Sequence, residues 1–193
     1  MCPRLVGVFL TVFTLTLSPG RAEKKADESV SLWRDPGGVM ARDLFYGAGS
    51  EERAPIAPFS FVEEDLDGVS PKFVLQDSQG VKWKVKLGDE ARPETVATRF
   101  VWAMGYATDE NYFVRVQRVE NMPAELHRGG EFISSDGSIR DARWERMDQK
   151  RIGNWRWAKN PFDDTRELNG LRVLMAFLNN WACVHAWTRP FAG

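Results

Sequence analysis

The sequence predicts an α+β domain, an antiparallel sheet with a helix packed on it and a second helix after it. Three observations predict it. Short segments between residues 58 and 120 alternate apolar and polar residues with period two, most strictly in VKWKVKL at 81–87. Two longer segments, 93–104 and 164–180, recur instead at helical intervals. Turn chemistry such as Asp77-Ser78-Gln79-Gly80 separates them, with glycine supplying positive φ and aspartate a side-chain acceptor.

Ahead of this domain the text differs. Met1-Cys2-Pro3-Arg4 is a short basic start, residues 5–17 are an apolar and threonine run, and Ser18-Pro19-Gly20-Arg21-Ala22 closes with small residues. That layout predicts a signal peptide over 1–22, cut after Ala22, and a mature chain exported to the periplasm or beyond the cell. The run is too short for a hydrocarbon core of about 30 Å, so no membrane association is expected after cleavage. The whole chain has 193 residues, 43% of them hydrophobic and 27% charged, which suits one soluble domain with its own core. Cleavage would remove two of 26 basic residues and leave 24 against 27 acidic ones, a balance that argues against nucleic acid as a partner and identifies no other. Cys183 would then be the only cysteine, so no internal disulfide can form, and with only His127 and His185 beside it no zinc-type ligand spacing exists.

In chain order, residues 23–57 read as a charged leader followed by glycine-containing loops. The clusters Asp35-Pro36-Gly37-Gly38 and Gly47-Ala48-Gly49-Ser50 fit turns, with a phosphate-binding loop as the alternative. PFSFVEE at 58–64 and PKFVLQ at 71–76 are strands about a polar loop. In 81–87, Val81, Trp83, Val85 and Leu87 form one face and Lys82, Lys84 and Lys86 the other, a solvated face unless one lysine enters a cleft. Pro93 and Glu94 suit the first turn of the next helix and Gly105 its end, while Val96, Phe100, Val101 and Met104 form the face expected to pack on the sheet. Glu94 is then either a partner for Lys86 or a surface glutamate favoured by the helix dipole. NYFVRVQRVE at 111–120 is another strand, and Asp136-Gly137 marks a hairpin within 131–139. Residues 143–162 interleave Trp144, Trp155, Trp157 and Phe162 with basic side chains, either an irregular connection packed on the core or a surface that stacks on sugars or bases. In 164–180, Asp164 and Glu167 have capping-box spacing and Leu168, Leu171, Leu174, Met175 and Leu178 share a face.

Gly68-Val69-Ser70-Pro71-Lys72-Phe73, Trp83-Lys84-Val85-Lys86, Glu94 with Ala97-Thr98-Arg99, and Met104-Gly105-Tyr106 together resemble the small lobe of HipA-like kinases, a group that includes atypical secreted kinases. The same stretch is similar to a family of uncharacterised exported bacterial proteins. The resemblance covers about forty residues well. It implies a kinase-like small lobe over 58–160 and the first large-lobe helix over 161–181. It also implies weak ATP binding, with Gly68 and Ser70 over the phosphates, Lys86 on them and Glu94 orienting Lys86. The family pattern places a catalytic aspartate two residues after Asn180. Ala182 stands there, and no Asp, Glu or Asn follows it. The implied fragment is therefore catalytically inactive, without metal ligands, with a non-homologous tail over 182–193 that a reading-frame change near Ala182 would explain. The alternative from a different class is a non-catalytic exported interaction module using residues 143–162.

Overall fold

The computed structural model describes residues 31–149, 153–180 and 186–188. The signal-peptide segment 1–22 and the Ala182 position lie outside the described residues.

Strands β1 (Phe59–Asp65), β2 (Lys72–Gln76) and β3 (Lys82–Lys86) are followed by helix α1 (Ala91–Ala103), then by β4 (Asn111–Glu120) and β5 (Ser138–Arg146). These five strands close into a barrel in the order β1-β2-β3-β5-β4. The expectation of a plain antiparallel sheet is corrected here. Four neighbouring pairs are antiparallel, but Phe59 and Ser60 of β1 run parallel to Val119 and Glu120 of β4 and join the two ends. A register shift between Phe61 and Glu63 lets β1 leave β2 and reach β4, because an extra residue bends a strand and increases its twist. A two-stranded sheet of β6 (Gly153–Trp155) and β7 (Ala186–Thr188) is separate from the barrel, and helix α2 (Arg166–Phe177) lies between them in sequence.

The barrel interior takes the apolar face of each strand. Phe73, Leu75, Trp83, Val85 and Trp144 are 0% exposed, and Trp144 lies edge-on to Phe59 with ring centroids 4.6 Å apart. Trp83 donates its indole hydrogen to Asp77 Oδ2 at 2.9 Å, while Asp77 Oδ1 accepts from the amides of Gln79 and Val81. The turn aspartate thus anchors the core as well as the chain reversal.

Because the apolar side chains fill the interior, the outer face on which α1 lies is polar, and this reverses the expected helix face. The buried stripe is Ala91, Thr95, Arg99 and Ala103, whereas Val96, Phe100 and Met104 are about half exposed and Val101, the fourth residue of the expected face, packs on the apolar cluster of Tyr106, Leu168 and Leu171. Thr95 bonds back to the Ala91 carbonyl at 2.8 Å. Arg99 donates to the Asn111 side chain at 3.1 Å, the Asn111 carbonyl at 2.6 Å and the Phe45 carbonyl at 3.2 Å. Burial pushes the Arg99 guanidinium below its ordinary pKa. Gly47 and Gly49 form a 3-10 turn against this arginine, and a Cβ on Gly47 would fall 2.5 Å from Arg99 Nη1. That cluster is a packed turn. Arg99→Leu is expected to lower stability by about 3 kcal/mol in urea denaturation, since it leaves buried carbonyls without donors.

Helix α2 is capped by Thr165, whose hydroxyl accepts from the Leu168 amide at 3.2 Å, and not by the Asp164 and Glu167 pairing expected from spacing. Asp164 has a φ of 65° and turns the chain ahead of the cap. Leu168 and Leu171 close a second apolar cluster with Leu32, Tyr106 and Phe162. The segment read as one irregular connection is divided: residues 143–146 belong to β5, Trp144 is in the barrel core and Phe162 in the second cluster, which removes both rings from any binding surface.

Candidate functional site

On the outer face of the barrel, cross-strand register places Lys72 of β2 opposite Lys86 of β3, and Lys86 opposite Arg143 of β5. Neighbouring strands lie about 4.8 Å apart, so three cations stand in a row, and like charges directly opposite repel. Their side chains are only 16, 14 and 15% exposed, so water screens them poorly. The row persists because carboxylates from the surrounding elements are folded onto it.

Gly88, with a φ of 92°, turns the chain from β3 into α1 and brings the acidic start of the helix over the end of β3. Lys86 Nζ lies 2.5 Å from Glu94 Oε1 and 2.7 Å from Glu90 Oε2. Glu94 Oε2 is 3.8 Å from Arg143 Nη1, and Arg143 Nη2 is 3.0 Å from Glu145 Oε2. Glu90 Oε2 also accepts from Ser70 Oγ at 2.9 Å. At the other end of the row Asp65 meets Lys84 at 3.1 Å and Lys72 at 3.9 Å. Of the three lysines on the polar face of β3, Lys84 and Lys86 are therefore engaged, and Lys82 is exposed.

Burial works to lower the Lys86 pKa, but hydrogen bonds and charge from Glu90 and Glu94 outweigh it and hold the ammonium above its ordinary value. The Lys86 hydrogen bond, and then the one from Ser70, hold Glu90 below the ordinary carboxylate range. A depressed carboxylate contributes stability above its unfolded pKa of about 4.3 and loses it as pH falls through the lower folded value. A raised lysine contributes below its unfolded value of about 10.4 and loses it only at still higher pH. In acid titration followed by circular dichroism, Glu90→Gln is expected to flatten the loss of stability below about pH 4 and to leave the slope between pH 6 and 8 unchanged.

Of the residues expected over a phosphate, Ser70, Lys86 and Glu94 are brought together, with Glu90 as the link. Gly68 is on the same loop, at a φ of 67°, and its carbonyl accepts from Arg128 Nη1 at 2.6 Å. Arg128 also holds the Asp65 carbonyl at 3.0 Å, so the loop is pinned from behind. Glu90, Arg143 and Arg128 were not anticipated. The i, i+4 spacing of Lys86 and Glu90 was available as a signal, but it crosses from strand to helix, where helical spacing rules do not apply.

Next to this network a cleft of about 470 Å³ lies between α1, residues 107–109, Arg143 and the residues just after α2, Asn179 and Asn180. Val101, Met175 and Leu178 make one wall apolar, and Glu90, Glu94 and Arg143 make another charged. Arg143 Nε and Thr108 Oγ1, on two residues that line the cleft, are buried without a hydrogen-bond partner. Among the described residues no group of three or more His, Cys, Asp or Glu side chains is gathered to hold a metal ion, and no helix is long and apolar enough to cross a membrane.

Comparison of the chain with protein-family models, with characterised proteins and with solved structures finds no match.

Proposed function

We propose that this chain is a kinase-like small lobe that binds a nucleotide weakly through its phosphates and does not itself transfer a phosphoryl group. The observation that carries the proposal is the pair Lys86 Nζ to Glu94 Oε1 at 2.5 Å. It joins the third strand of the barrel to the helix that follows, and a strand lysine held by a helix glutamate is the device with which protein kinases position the ammonium for nucleotide phosphates. The cleft beside it supplies an apolar wall, from Val101, Met175 and Leu178, next to the charged side chains of Glu94 and Arg143. Weak binding follows from occupancy, since Lys86 already carries two carboxylates that a ligand has to displace or share. Inactivity follows from the sequence, because Ala182 offers no carboxylate to accept a substrate proton.

A melting experiment on the mature protein tests this. ATP at about 100 times its dissociation constant is expected to stabilise the fold by about 2.7 kcal/mol, seen as a rise in Tm, while no ADP accumulates. An unchanged Tm up to millimolar ATP, or steady ADP production, would contradict it. Export belongs to the same proposal. Mass spectrometry of the protein recovered outside the cytoplasm is expected to give Glu23 as the first residue, and an intact Met1 start would count against it.

A further inference from the structure

Two donors on separate elements, the Ser70 hydroxyl of the β1–β2 loop and the Lys86 ammonium of β3, converge on one oxygen, Glu90 Oε2, at 2.9 and 2.7 Å. These are the distances and charges with which a phosphate oxygen would be held. Resting on the nucleotide reading above, we propose that Glu90 is an internal stand-in for the ligand. Its carboxylate occupies the oxygen position between Ser70 and Lys86, and an incoming phosphate must displace it.

The two glutamates on Lys86 are not equivalent. Glu94 lies inside α1 and its second oxygen faces Arg143, so it is held between two cations. Glu90 is the residue just ahead of α1, and its side chain is 62% exposed against 41% for Glu94. Turning Glu90 outward breaks no bond within the helix, and a carboxylate so exposed recovers most of its hydration. Its departure leaves Ser70 Oγ and Lys86 Nζ aimed at one point, in a row whose other cations are Lys72 and Arg143. Lys72, Lys84, Lys86 and Arg143 then face three remaining carboxylates, Asp65, Glu94 and Glu145, and the positive charge left over favours an anion in the place Glu90 vacates. Glu94, remaining on Lys86, keeps the ammonium in position. Glu90 is thus a tethered competitor that a phosphate oxygen must outcompete for Ser70 and Lys86.

Isothermal titration of ATP and of inorganic pyrophosphate into the mature wild-type protein, Glu90→Ala, Glu90→Gln and Asp89→Asn tests this. Asp89→Asn removes a neighbouring exposed negative charge. The expected result is binding tightened tenfold or more by Glu90→Ala, a smaller gain for Glu90→Gln, and less than a twofold change for Asp89→Asn. Adding Ser70→Ala to Glu90→Ala is expected to return much of the gain. Unchanged or weaker binding by Glu90→Ala with a native circular dichroism spectrum overturns the proposal and leaves the nucleotide reading standing if wild type binds ATP. Equal gains for Glu90→Ala and Asp89→Asn also overturn it, since the effect would then be net charge. Absence of binding by every form overturns both.

Discussion

Replacing Trp144 by alanine is expected to destabilise the domain by about 3 to 5 kcal/mol, against a total of about 5 to 15 kcal/mol for domains of this kind. Trp144 sits on β5 in register between Val85 of β3 and Tyr112 of β4 and is fully buried. It packs on Phe59 and lies 6.4 Å from the Trp83 ring, so its loss opens a cavity where three strands meet. Closing that cavity would require the barrel to contract, which hydrogen-bonded strands on every side resist. The indole nitrogen has no hydrogen-bond partner, so Trp144→Phe loses volume without orphaning an acceptor. Phenylalanine is therefore expected to cost only about 1 to 2 kcal/mol. Urea denaturation followed by far-ultraviolet circular dichroism separates the two, and equal losses would show that Trp144 is held by something other than packing.

Lys86→Met is expected to combine a modest loss of stability with complete loss of anion binding. Removing the ammonium leaves Glu90 and Glu94 facing one another with only Ser70 and the more distant Arg143 to compensate. Both carboxylates are substantially exposed, so the cost is expected to be about 1 to 2 kcal/mol, well short of that for a fully buried broken pair. Adding Glu90→Gln removes one of the two uncompensated charges and is expected to recover part of that loss. Lys86→Arg keeps the charge but spreads it over a planar fork that cannot deliver one donor to both Glu90 Oε2 and Glu94 Oε1 in the same geometry. Weak binding is expected to persist in that variant.

How far these features could be seen in advance depended on how local they were. Strict alternation in 81–87 exposed β3 and its inward Trp83, Val85 and Leu87, and the Asp77 to Gly80 turn was legible from composition. β5 was not, because Asp141, at a φ of 48°, interrupts its alternation: Ile139 faces inward before it and Ala142 and Trp144 after it, out of phase by one residue. Barrel closure depends on a parallel pair between the first and fourth strands, a relation with no local signature. The buried face of α1 depends on the same closure. A helix on an open sheet hides its apolar stripe, whereas this helix rests on the polar outside of a barrel and hides Thr95 and Arg99. Lys86 and Glu94 were visible because the turn between them is short. Arg143 and Glu90 completed the network only once β5 and the start of α1 were placed beside β3.

On the proposed function, the Lys86 ammonium is the group on which a nucleotide's phosphates bind. Titration calorimetry of ATP against wild type and Lys86→Met, with circular dichroism to confirm that both are folded, tests it most directly. Saturable heat in the wild type and none in Lys86→Met is the result predicted. Equal binding by the two, or no binding by a folded wild type, would contradict it.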